Sequence, residues 1–189
     1  MKGVTAISNV LKLEGVEYLF CFPANPLIDD AAAAGIQPII TRTERGSVNV
    51  ADGYSRNAGQ GKFGVCTMQS GPGIENAFGA VAHAYDDSIP ILLLPGGTSR
   101  DRLGVHPHFN APEQFRGVTK WAEQINMAQR VPEMMRHAFS YLKTGHPGPV
   151  MLEVPGDVAA EEIEEASQEK LRLPLLRLDD PTDDREVLL

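Results

Sequence analysis

Three short stretches of the sequence carry residue types that can do chemistry. In TRTERGSVNVADGYSR (41–56), Glu44 stands just after a short apolar run and opens an amphipathic helical pattern. Thr41-Arg42-Thr43-Glu44 fits the capping box, with Thr41 as N-cap and Glu44 reaching back to its amide. The same pattern also allows a buried acid that exchanges a proton. In QSGPGIEN (69–76), Gly71 and Gly73 around Pro72 let the backbone approach a ligand closely at a helix N-terminus, or simply make a tight strand-to-helix turn. His106 and His108, in HPH, can supply acid and base groups near neutral pH, or stand as two exposed loop residues. His83, His137 and His146 read as structural, and Trp121 as a core or domain-edge residue. QSGPGIEN does not carry the dinucleotide fingerprint G-x-G-x-x-G, and the phosphate-loop string G-x-x-x-x-G-K-[ST] occurs nowhere in the chain.

The elements that must position these residues follow from apolar spacing. A first helix is predicted over 5–14, ending at Gly15, and a dense apolar strand over 17–22. NPLIDDAAAAG has Asn25 as N-cap, Pro26 at the first helical position and Gly35 as stop. Strands are expected at 38–41, 63–68, 90–97 and 149–155, with helices from 41, over 71–87 and over 131–145. The segment 97–119 reads as a long loop, a length uncommon without a function. This alternation predicts an α/β fold, doubly wound, with a mainly parallel six-stranded sheet and helices on both faces. The loops at 22–26, 41–46, 69–76 and 95–112 then share the carboxyl ends of the strands, where such sheets hold their ligands.

Composition narrows the function classes. The 189 residues allow one sizeable α/β domain over 1–165; 166–189 reads as a linker or the start of a following domain. A formal net charge of -8 leaves no basic stripe for a nucleic acid. No apolar stretch approaches the roughly 20 residues of a membrane span, and the start lacks a signal-peptide pattern. Cys21 and Cys66 read as small core hydrophobes rather than a disulfide or metal site, so a reducing cytoplasm is expected. The ending REVLL suggests that a further helix begins there and that more protein belongs to the active form.

Five ordered motifs over residues 3–160 resemble one family. EYLFCFPANP stands in place of V-F-G-x-P-G, and RTERGSVNVADGYSR in place of R-H-E-x-x-A-x-x-A-x-G-Y-A-R. QSGPGIENAFGAVAHAYDDSIPILLLPG, FRGVTKW and GHPGPVMLEVPGDV match the later motifs. The chain resembles the N-terminal pyrimidine-binding domain of thiamine-diphosphate-dependent enzymes of the acetolactate synthase, benzoylformate decarboxylase and pyruvate decarboxylase group. The resemblance implies that Glu44 hydrogen-bonds N1′ of the cofactor's aminopyrimidine and favours the imino tautomer, whose nitrogen takes the proton from thiazolium C2. Such a carboxyl must hold or share a proton near neutral pH, which a dry surrounding favours. It further implies cofactor contacts from Pro23, Ala24, Asn25, Ser70, Gly71, Pro72, Gly73 and Asn76.

The departures from the family are informative. Ala24 replaces the loop glycine that follows proline. VHPHFN stands where acetolactate synthases commonly carry F-Q-E, which points to the decarboxylase branch, some of whose members handle substrate and product protons with paired histidines. His106 and His108 are carried over as catalytic candidates on that basis. The diphosphate and Mg²⁺ motif, G-D-G followed by an asparagine, does not occur. The resemblance therefore implies a diphosphate-binding domain or subunit elsewhere, at least a dimer, and a 2-oxo acid substrate for decarboxylation or carboligation. The competing expectation is a non-catalytic binding or assembly module that keeps the fold.

Overall fold

Strand and helix alternate from the start of the chain. The structure, a computed structural model, describes residues 1–163 other than Ala24 and Gln60. Helix α1 (Gly3–Leu13), β1 (Tyr18–Cys21), α2 (Leu27–Ala33), β2 (Gln37–Ile40), α3 (Glu44–Asn57), β3 (Gly64–Thr67), α4 (Pro72–Asp86) and β4 (Ile91–Leu93) come first. They are followed by β5 (Gly96–Gly97), α5 (Ala111–Phe115), β6 (Trp121–Gln124), α6 (Val131–Lys143), β7 (Val150–Pro155) and α7 (Gly156–Ala160).

All pairings between these strands are parallel, in the order β2-β1-β3-β4-β7-β6. Val150 of β7 pairs with Leu92 on one edge and Trp121 on the other, so β6 closes the sheet. Segment β5 prolongs β4: Gly96 pairs with Val154 of β7 while its amide donates to Met68 O at 2.8 Å. Seven segments thus fill six positions, the number expected, with five of them at strands placed from the sequence and the sixth at β6.

Alternate residues of each inner strand feed two separate cores, because successive side chains leave a strand on opposite faces. Leu19, Val65, Leu92, Val150 and Leu152 pack with α1, α2, α6 and α7. Phe20, Cys66, Leu93 and Met151 pack with α3, α4 and α5. Both thiols are free and buried. Burial pushes the Cys21 thiol up to about 11 and that of Cys66 higher still, which fits inert core residues.

Two parts of the reading need correction. The segment 97–119 is not one loop: it contains a 3₁₀ turn at Arg100–Arg102 and then α5, capped by the Asn110 side chain on Glu113 N. A five-residue helix is too short to show apolar periodicity. Strand β6 escaped notice because an edge strand buries little, and its four residues, WAEQ, form no apolar run. Trp121 indeed lies at the sheet edge, stacked on Tyr141 with ring centroids 5.6 Å apart. The expected linker at 166–189 and the helix start at REVLL lie outside the described residues.

Candidate functional site

The order β2-β1-β3 makes β1 and β3 the place where connections diverge. The chain leaves β1 for α2 on one face and leaves β3 for α4 on the other, which opens a crevice at their carboxyl ends. Three loops meet there through backbone groups. Asn25 donates from Nδ2 to Met68 O at 3.0 Å and accepts at Oδ1 from Leu27 N at 2.9 Å. The N-cap of α2 is Pro26, one position after the expected Asn25, but the Asn25 side chain still holds the first helical amide and ties the loop after β1 to the loop after β3. Gly96 lies alongside: a methyl there would stand 3.4 Å from Ser70 N and 3.6 Å from Asn25 Nδ2.

Glu44 enters the crevice for a reason visible in its helix. The buried residues of α3 are Glu44, Ser47, Val48, Ala51 and Asp52, the i, i+3, i+4, i+7, i+8 stripe of a helix lying on a sheet. Glu44 is the first member of that stripe and is only 7% exposed. The cap is made by another residue. Thr43 is the N-cap and accepts from Gly46 N at 3.0 Å, while Glu44 is the first helical residue. The capping box expected from Thr41 is therefore displaced by two positions, and Gly46 at the third helical position has no side chain to reach back. Thr41 instead bonds Ser47 Oγ at 2.7 Å and Thr43 O at 2.9 Å.

Released from capping, the Glu44 carboxyl takes a partner on the next helix. Asn76 donates from Nδ2 to Glu44 Oε2 at 2.7 Å. Oε1 lies beside Gly73, where a methyl would stand 3.4 Å from it and 2.4 Å from Gln69 Cγ. Gly71 holds φ 61°, a backbone state that disfavours side chains, and gives α4 its sharp start before Pro72. The two glycines thus have different duties: Gly71 makes the turn, and Gly73 leaves room over the acid.

The structure brings Glu44, Gly73 and Asn76 into contact, and separately joins Asn25, Met68, Ser70 and Gly96. Pro23 is exposed at the end of β1, and Ala24 lies outside the described residues. His106 is exposed, whereas His108 is half-buried with Nδ1 3.3 Å from Thr98 Oγ1. His83 pairs with Asp87, His137 meets Trp121, and His146 meets Ser88, all outside this crevice. Two further buried acids have no role in the motif reading: Asp52, paired with Arg56, and Glu153. Glu153, in β7, is 3% exposed and accepts from Gln124 Nε2 at 2.6 Å. Desolvation raises its carboxyl to about 7 against the hydrogen bond from Gln124, which lowers it. The available signal was a single charge inside PVMLEVP, a strand buried throughout.

The donors and the space at Glu44 fit an aminopyrimidine. The carboxyl can share a proton with a ring nitrogen, and Gly73 leaves Oε1 uncovered by any side chain of its own. The sequence comparisons point the same way. Residues 1–127 match the family described as thiamine pyrophosphate enzyme, N-terminal TPP binding domain. A probable acetolactate synthase large subunit of Methanocaldococcus jannaschii is 36% identical over 169 residues, covering 87% of this chain and 28% of that protein. The acetolactate synthase large subunit of Lactococcus lactis is 33% identical over 178 residues, covering 91% and 31%. The chloroplastic acetolactate synthase of Arabidopsis thaliana is 30% identical over 194 residues, covering 98% and 29%. All three carry the acetolactate synthase name, in contrast to the decarboxylase branch suggested by the HPH loop. The chain spans less than a third of the length of each of these relatives. It belongs to the family of N-terminal TPP-binding domains of thiamine pyrophosphate enzymes.

Proposed function

We propose that this chain is the pyrimidine-binding part of a thiamine-diphosphate-dependent enzyme that decarboxylates or joins 2-oxo acids, with Glu44 as the proton partner of the cofactor. The observation that carries this reading is a buried glutamate at the first position of α3, freed from helix capping and held by Asn76. When bound, the cofactor supplies the electron sink for a carbanion next to a former carbonyl.

Glu44 would hold or share a proton at Oε1, the oxygen beside Gly73, while Oε2 keeps its bond from Asn76. Burial, which leaves Glu44 only 7% exposed, keeps competing water from the carboxyl. Asn76 fixes the plane of the carboxylate, and Gly73 keeps the approach clear. Asn25, by tying the loop after β1 to Met68 O, holds the wall of the crevice in register with Ser70 and Gly96. Pro23 extends that wall, and His106 and His108 act on substrate protons from the loop after β5. The diphosphate and Mg²⁺ would be held by a domain or subunit that carries the G-D-G…N motif, and the family resemblance implies that the complete site forms between subunits of at least a dimer.

The test is Glu44→Gln in the complete assembly. Exchange of the thiazolium C2 proton should collapse while cofactor affinity changes little. Unchanged exchange would remove Glu44 from the role and favour a non-catalytic module.

A further inference from the structure

Two buried carboxyls stand at the carboxyl edge of the sheet in the same setting. Glu44 is met by the carboxamide of Asn76 and lies beside Gly73; Glu153 is met by the carboxamide of Gln124 and lies against Gly97. The second contact is closer. A methyl on Gly97 would stand 2.7 Å from Glu153 Cγ and 2.9 Å from Cδ, so the glycine is what lets the acid lie flat across the strand. Gln124 also lines a cavity of about 380 Å³, together with His108, Asn110 and Arg116.

We propose that Glu153 and Gln124 form a proton-controlled switch that sets whether this cavity wall offers a hydrogen-bond donor or an acceptor. The argument is one of satisfying each polar group. An ionised Glu153 can only accept, so Gln124 must turn its NH₂ inward, and its carbonyl oxygen then faces the cavity. A neutral Glu153 carries one O–H, and the Gln124 carboxamide, already 2.6 Å away through its nitrogen, can offer its carbonyl as the acceptor by turning over. The amide then turns over and presents its NH₂ to the cavity. The protonated state thus suits a ligand carboxylate or carbonyl oxygen, and the ionised state suits a ligand hydroxyl or amine. Because burial drives the acid toward its neutral form, both states are populated near neutral pH.

Among the described residues no charged group pairs with Glu153. His108, Glu113, Arg116 and Glu123 border the cavity, and Arg116 meets Glu123 at 3.5 Å. From the β5 side Gly97 lies against it, and beyond β7 Arg100 is engaged by Asp157 and Glu161. The assignment does not depend on the role of Glu44.

Side-chain ¹⁵N and ¹³C resonances of Gln124, with the ¹³C carboxyl signal of Glu153, followed from pH 5 to 9 in the full chain, test the switch. The Gln124 amide should shift in one step that coincides with the Glu153 carboxyl. That step should vanish in Glu153→Gln and persist in His108→Asn. A wild-type Gln124 signal that does not move overturns the proposal. So does a step that survives in Glu153→Gln or disappears in His108→Asn, since His108 would then be its source. Should Glu153→Gln fail to fold, the wild-type coincidence of the two signals, with the His108→Asn control, still decides the matter.

Discussion

Asn76, in the first turn and a half of α4, donates to Oε2 of Glu44, the first residue of α3, at 2.7 Å. The bond joins two helices whose feeding strands, β2 and β3, are separated in the sheet by β1. It exists because the buried stripe of each helix begins at its first turn, so that Glu44 and Gly73 face one another at the sheet's edge.

Removing the donor tests this relationship directly. Asn76→Ala leaves the buried carboxyl short of its partner and should cost about 1–2 kcal/mol in thermal or denaturant unfolding. In the complete assembly it should slow C2-proton exchange less than Glu44→Gln, whose loss is expected at roughly 100-fold or more. Equal losses would mean that Asn76 does more than orient the acid.

Stability should fall as pH rises through the range governed by Glu153. Its carboxyl is raised from 4.5 to about 7 in the folded state, so the folded chain holds the proton more tightly than the unfolded one. The stabilisation is complete below about 4.5 and is lost progressively until about 7, after which the curve is flat. The integrated effect is on the order of 3 kcal/mol. Glu153→Gln should flatten this part of the pH–stability curve, measured by urea unfolding at each pH.

Two glycines of the α3–β3 unit should respond oppositely to the same change. A methyl on Gly64 would stand 2.2 Å from Ala51 O, a backbone atom of α3 that cannot turn aside. Gly64→Ala should therefore cost about 3 kcal/mol or more. Gly53, inside α3, has nothing within 4 Å of the added carbon. Gly53→Ala should stabilise the chain by about 0.5–1 kcal/mol through the unfolded state and helix propensity. Thermal melts of both variants give the comparison.

Gly73→Ala separates space from conformation at the site. The added carbon meets Gln69 Cγ at 2.4 Å, but Gln69 is a flexible side chain that can move. The fold should survive with a loss of about 1–2 kcal/mol. Because the methyl stands over Glu44 Oε1, cofactor affinity of the complete assembly should fall more than stability does; titration calorimetry beside a melt would show it.

The sequence by itself determined five of the six strand positions and the edge of the sheet where their loops gather. Dense apolar strands alternating with capped helices leave few topologies, and a parallel sheet wound on both faces gathers its loops at one end. The glycines of QSGPGIEN and the acid of TRTERG were legible for the same reason: turns and helix starts are local chemistry. Tertiary structure decided which reading of Glu44 holds geometrically. A local pattern assigned it to a capping box with Thr41, but Thr43 takes the cap, because starting the helix there lays the 44-47-48-51-52 stripe on the sheet. Burial of that stripe outweighs one cap bond. Glu153 was invisible for the complementary reason. Nothing in PVMLEVP says which face its one acid takes, and only the pairing of β7 with β6 and β5 sets it between Gln124 and Gly97. Local patterns fix where elements begin; which polar groups end up dry, and beside whom, is settled by packing between segments distant in the chain.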